Sequence, residues 1–138
     1  MNGNLARACR PGRRDARALD VAVQDWISRA QQMCIKSIIC LLSDDEVEKF
    51  YRREGIELFE CYAAAGFTVC RVPVPDHAEP PLSEDDIRRV CVALRELPEP
   101  WLVHCSAGID RTGCVIDFLV LKEAALITQT SSATRCDG

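Results

Sequence analysis

Between Val103 and Gly113 the chain reads Val-His-Cys-Ser-Ala-Gly-Ile-Asp-Arg-Thr-Gly, and the residues on either side leave few ways to fold it. A short apolar run, Trp101-Leu102-Val103, leads in; a longer one, Cys114 to Leu121, follows. Apolar run, glycine-containing loop and second apolar run predict a strand, a tight loop and a helix. Such a loop gathers backbone N–H groups around one point, and the helix start beneath it adds partial positive charge. That point binds an oxyanion. Cys105 and Arg111 stand at the two ends of the loop, one placed to attack the anion and the other to grip it.

The rest of the chain supplies elements of the same kind. Arg17 to Gln32 predicts an amphipathic helix, with Leu19, Val23, Trp26, Ile27 and Ala30 near one face. Ile35 to Leu42 is short and apolar, which favours a buried strand. Ser43 and Glu46 then form a capping-box pattern that starts a helix carrying Val47, Phe50 and Tyr51. Gly55 interrupts it, and Glu57 to Ala65 is a further helical piece ending at Gly66. Phe67 to Val74 is the next strand, running out through Pro73 and Pro75 into a loop over Pro75–Pro81. Ser83 opens a helix to about Leu97, with Ile87, Val90, Val92, Ala93 and Leu94 as its contacts. Trp101 to Cys105 is the third strand, and Thr112 to Ile127 the last helix. Alternation of this kind predicts an α/β fold with a mostly parallel central sheet flanked by helices. One domain is expected over residues 1–127, opening with a solvated leading segment that turns at Arg10-Pro11-Gly12. Residues 128–138 are expected to be a disordered tail.

Charge and cysteine content narrow the function. A net charge of −4 and no basic patch interleaved with aromatics give no support for nucleic-acid binding. Nine cysteines without CxxC spacing, several of them in apolar runs (Cys40, Cys70, Cys91, Cys114), predict buried free thiols in a reducing compartment rather than a disulfide framework. No run is long enough to span a membrane. The arginines near the N-terminus lack a following apolar core, so no secretory signal is expected, and Asp15 and Asp20 argue against a transit peptide. The expected location is cytoplasmic, or nuclear in a eukaryote.

The residues of the loop fit phosphoryl transfer. At a helix N-terminus ringed by N–H groups and facing Arg111, a Cys105 thiolate is favoured electrostatically and is a ready nucleophile. Arg111 offers paired planar donors that match two phosphate oxygens, which a lysine would not. Gly108 allows a backbone path that a side chain would obstruct. Thr112 can donate its hydroxyl to the cysteine sulfur, and His104 can brace the loop backbone. Ser106, Ala107, Gly108, Ile109, Asp110 and Arg111 together form the expected phosphate cradle. An ester also needs its leaving oxygen protonated; Asp76, in a proline-flanked loop at a strand end, is the expected acid. Asp85 and Asp86 read better as charges in a first helical turn. Arg111 and the loop amides neutralise the transferred charge, so neither a metal nor a cofactor is expected.

His104-Cys105-Ser106-Ala107-Gly108-Ile109-Asp110-Arg111-Thr112-Gly113 resembles the HCxxGxxR[ST]G signature of the cysteine-based protein tyrosine and dual-specificity phosphatases. The resemblance implies Cys105 as nucleophile, Arg111 as phosphate ligand and an upstream aspartate as general acid, for which Pro73-Val74-Pro75-Asp76 has the right spacing. Arg10-Pro11 and Ile38-Ile39-Cys40-Leu41-Leu42 are similar to the compact dual-specificity branch. Trp26-Ile27-Ser28-Arg29 is similar to the kinase-associated phosphatases within it. The resemblance covers roughly Leu5 to Ile127 and implies a phosphorylated protein as partner, with phosphotyrosine, and phosphoserine or phosphothreonine after it, as substrate. Asp110 departs from the glycine common in tyrosine phosphatases and is similar to some phosphoinositide phosphatases, but Ser106 and Ile109 stand where those carry lysines. Beside the family the chain stops soon after the last helix, which implies a sheet lacking the family's C-terminal helices. Cys114 to Leu121, apolar on nearly all sides, would then be short of cover. Three rival functions stay open: a phosphoinositide phosphatase, a phosphate- or phosphoprotein-binding module without turnover, and a sulfur-transfer or arsenate-reducing enzyme. A second cysteine, Cys40 or Cys114, pairing with Cys105 under oxidation is a further expectation.

Overall fold

Four short strands and five helices alternate along the chain in a computed structural model that describes residues 4–129, with side chains as far as Val120. The strands are β1 (Leu5–Ala8), β2 (Ser37–Cys40), β3 (Thr68–Arg71) and β4 (Trp101–His104). The helices are α1 (Leu19–Gln32), α2 (Asp44–Phe50), α3 (Leu58–Ala64), α4 (Glu84–Glu96) and α5 (Asp110–Gln129), with a single 3-10 turn, Arg52–Glu54, after α2. The sheet order is β1-β4-β2-β3, and every pair is parallel. The expected α/β architecture is therefore the observed one.

Parallel strands must be covered on both faces, and the alternation of side chains along each strand divides the core in two. On one face Ile38, Cys40, Leu42 and Leu102 pack against Val23, Ile27 and Ala30 of α1 and against Val47, Tyr51, Leu58 and Tyr62. On the other, Ile39, Leu41, Val72, Val74, Val103 and Cys105 pack against Leu82, Val90 and Ala93 of the α4 region and Val115 of α5. Each fully buried Ile or Leu contributes roughly 2–3 kcal/mol relative to exposure.

The expected capping box at Ser43 closes, and a second one forms at Ser83. Ser43 Oγ accepts from the Glu46 N–H while the Glu46 side chain accepts from the Ser43 N–H; Ser83 and Asp86 do the same for α4.

Three expectations need correction. The leading segment is not merely solvated: Leu5–Ala8 forms the edge strand β1, in register with Trp101–His104. Val92 faces outward on α4 and is exposed. Cys70, Cys91 and Cys114 are only half-buried, while Cys40 is fully buried. Along α5, Val115 is buried but Val120 is 53% exposed. The helix runs to Gln129, two residues into the expected tail; the remainder of that tail lies outside the described residues.

Candidate active site

In an open parallel sheet the crevice beyond the C-terminal strand ends is where ligands bind, and all four strands deliver residues there. The central strand β4 runs straight into the loop Cys105–Asp110 and then into α5. From the end of β2 come Leu41 and, one turn on, Glu46. From the end of β3 come Val74 and Asp76. From the end of β1 come Arg7, Ala8 and Arg10.

Cys105 is buried, and its Sγ accepts two hydrogen bonds: from the Gly108 N–H at 3.3 Å and from the Thr112 hydroxyl at 3.1 Å. Both donors stabilise negative charge on sulfur. Gly108 has φ 76°, and a Cβ there would lie 2.6 Å from the Ala8 carbonyl oxygen, a backbone atom that cannot move aside cheaply. The loop and β1 thus approach as closely as glycine allows. Two arginines fasten that approach. Arg7 Nη2 donates to the Gly108 carbonyl at 2.8 Å, and Arg10 donates through its backbone N–H to Ser106 O at 2.9 Å and through Nε to Ser106 Oγ at 3.3 Å. The Arg10 guanidinium lies 3.7 Å over the Phe50 ring.

Arg111 is 1% exposed yet spans the crevice. Its Nη1 donates to Glu46 Oε1 at 2.6 Å, Val74 O at 2.8 Å and Leu41 O at 3.3 Å, and its Nη2 donates to Glu46 Oε2 at 2.9 Å. Asp76 Oδ1 stands 3.5 Å from Nη2. Nε, also buried, has no acceptor among the described residues. Burial disfavours the guanidinium charge, but the Glu46 and Asp76 carboxylates outweigh it and push the pKa up. Burial likewise pushes Glu46 up, and its hydrogen bonds from Arg111 and Ser43 more than offset that, holding the carboxyl below its ordinary value.

His104 lies on the opposite face of β4 from the sulfur. Its Nδ1 is 3.1 Å from the Cys105 carbonyl oxygen, so it carries the proton and donates; Nε2 then accepts from the Tyr62 hydroxyl at 2.9 Å. Burial pulls its pKa from 6.5 to about 4, although the Cys105 carbonyl favours the charged ring. The neutral ring touches no reacting atom and braces the loop from behind. An unfolded chain takes up this proton near pH 6.5, the folded chain only near pH 4. Stability is therefore full above pH 6.5 and is lost as pH falls toward 4, by up to roughly 3 kcal/mol. Denaturant unfolding should show this fall, and His104→Asn should flatten it; an unchanged slope in the variant would assign it to other groups.

The structure brings Cys105, Arg111, Thr112 and Asp76 into one crevice. Ser106 and Ala107 line the loop half-buried, Ile109 is 64% exposed, and Asp110 is exposed at the first turn of α5 with no cation paired to it among the described residues. Cys40 does not fit as a redox partner: it belongs to the α1 face while Cys105 belongs to the α4 and α5 face, and burial pushes its thiol up to about 12. Cys114 packs on the Cys105 side. Neither the contact of Glu46 with Arg111 nor the strand β1, which carries Arg7 and leads to Arg10, is evident from sequence alone. The capping-box glutamate was the one signal pointing at the former.

Residues 15–125 match the family described as "Polymorphic toxin system, DSP-PTPase phosphatase". An inositol diphosphatase of Oryza sativa subsp. japonica is 32% identical over 93 residues, 64% of this chain and 38% of that protein. The chain thus spans well under half the length of this curated relative. No helix among the described residues is long and apolar enough to cross a membrane. The match runs over most of the chain and takes in the whole of β4, the anion loop and the first turns of α5; the chain belongs to the DSP-PTPase phosphatase family.

Proposed function

We propose that the chain hydrolyses phosphomonoesters on proteins, phosphotyrosine foremost, through a phosphocysteine on Cys105. Two groups in one crevice carry this reading: a sulfur that receives two hydrogen bonds, and a buried arginine N–H with no acceptor among the described residues. A buried donor of that kind calls for a ligand, and a phosphate oxygen satisfies it. In the first step Cys105 sulfur attacks phosphorus as the ester P–O bond breaks, and Asp76 gives its proton to the leaving oxygen. In the second, water attacks phosphorus, Asp76 takes a proton from it, and the S–P bond breaks to release inorganic phosphate and the thiolate. Thr112 stabilises that departing sulfur, and the Arg111 edge with the loop amides holds the equatorial oxygens.

A second reading has an observation of its own. Arg7 and Arg10 both contact the anion loop, and neither pairs with a carboxylate among the described residues. Free cations beside the cradle suit a substrate with more than one phosphate, in keeping with the relative named as an inositol diphosphatase. Initial rates on a phosphotyrosine peptide and on an inositol diphosphate separate the two. The first reading predicts a kcat/KM at least about tenfold higher for the peptide, or ~1.4 kcal/mol of transition-state binding. The opposite preference moves the function to the inositol phosphates. Binding of both without turnover leaves a phosphate-binding module.

A further inference from the structure

We propose that β1 and the residues just after it aim the N–H groups of the anion loop, with Arg7 as the positioning residue. This rests on the reading of that loop as a phosphate cradle. A trans peptide points its C=O and its N–H in opposite directions, so a hold on one loop carbonyl aims the N–H of the next residue. Arg7 Nη2 donates to the Gly108 carbonyl at 2.8 Å, which turns the Ile109 N–H away from β1 and into the crevice. The Arg10 N–H donates to the Ser106 carbonyl at 2.9 Å and does the same for the Ala107 N–H. Between them, the Gly108 N–H already meets Cys105 Sγ. Successive N–H groups turned to one side make a concavity that holds an anion.

The segment that does the aiming is itself fixed. Leu5–Ala8 is in parallel register with Trp101–His104 of β4. Just past the strand, Trp26 Nε1 of α1 donates to the Cys9 carbonyl at 3.0 Å, and the buried Tyr51 hydroxyl donates to the Pro11 carbonyl at 2.6 Å. The Ala8 carbonyl lies so close to Gly108 that a Cβ there would stand 2.6 Å from it. Arg7, by contrast, is an exposed side chain on an edge strand, and its hydrogen bond to the loop is the one it makes among the described residues. Arg7→Met therefore removes the hold and leaves the packing around it in place.

A cation that binds a second phosphate directly would stand in the same place, and the choice of ligand tells the two roles apart. The test is a titration of the full chain with inorganic phosphate, followed by amide proton–nitrogen spectra. It is run in about 1 M salt, where an exposed charge reaches only about 3 Å. Arg7→Met should weaken phosphate binding about tenfold, the low end of what a hydrogen bond to a charged group contributes. The Ile109 amide proton should move downfield with phosphate in wild type and barely move in Arg7→Met. The Ala107 amide, aimed by a backbone donor that the substitution spares, should still move. Unchanged affinity and an unchanged Ile109 shift in Arg7→Met, even with a lowered melting temperature, would overturn the proposal. So would a loss of affinity for an inositol diphosphate with none for inorganic phosphate, which would give Arg7 to a second phosphate. A wild type that binds no phosphate would overturn the cradle reading, and this proposal with it.

Discussion

Cys105→Ser should abolish turnover of an aryl phosphate, by on the order of 10⁴-fold or more, and leave inorganic phosphate binding intact. A hydroxyl is a far weaker nucleophile than a thiolate, and no base stands ready to activate it: His104, the nearest imidazole, faces the other way and is spent on Tyr62 and the Cys105 carbonyl. The cradle is untouched, since the Gly108 N–H and Thr112 hydroxyl that meet Sγ can meet a serine oxygen as well. Every donor of the cradle thus stays in place, so binding is kept. Steady-state kinetics and phosphate titration on the same preparation check both halves. Equal turnover in wild type and Cys105→Ser would remove the enzyme reading altogether.

Asp76→Asn should lower turnover by about 10²- to 10⁴-fold, the usual worth of a general acid, and the loss should depend on the leaving group. Asp76 stands at the mouth of the crevice, a little over a third exposed, with its carboxylate near Arg111 Nη2. Asparagine keeps the shape and gives no proton. An alkyl phosphate, whose alkoxide leaves poorly, should then suffer far more in the first step than a nitrophenyl phosphate, whose phenolate leaves unaided. The second step still needs a base for water whatever the first substrate was. Activated substrates should therefore form the phosphocysteine and stall there. A uniform loss across leaving groups would place the acid elsewhere; Asp85 and Asp86, engaged with Arg88, Arg89 and the α4 cap, are poor substitutes.

Much of this site was legible because its chemistry is local in sequence. Cys105, Gly108, Arg111 and Thr112 lie within eight residues, and strand, loop and helix follow from the apolar runs on either side. The capping serines and the buried stripe of α1 were legible for the same reason: caps and helical faces repeat over three or four residues. What escaped is long-range. Leu5–Ala8 is four residues with an exposed arginine and no clear alternation, and it becomes a strand only because the edge of β4 offers it a parallel register. Glu46 meets Arg111 across 65 positions, and its capping role explained it fully until the guanidinium appeared beside it. The separation of Cys40 from Cys105 could have been read from strand alternation once their strands were known to be neighbours.

Turnover by this route passes through a covalent bond between Cys105 sulfur and phosphorus. Acid quench of the Asp76→Asn chain during turnover of nitrophenyl phosphate, followed by mass spectrometry of the peptide containing Cys105, tests it directly. One phosphoryl group is expected on Cys105, formed in a burst that matches the enzyme concentration and absent from Cys105→Ser. Continued release of nitrophenol with Cys105 unmodified at every quench time would contradict it.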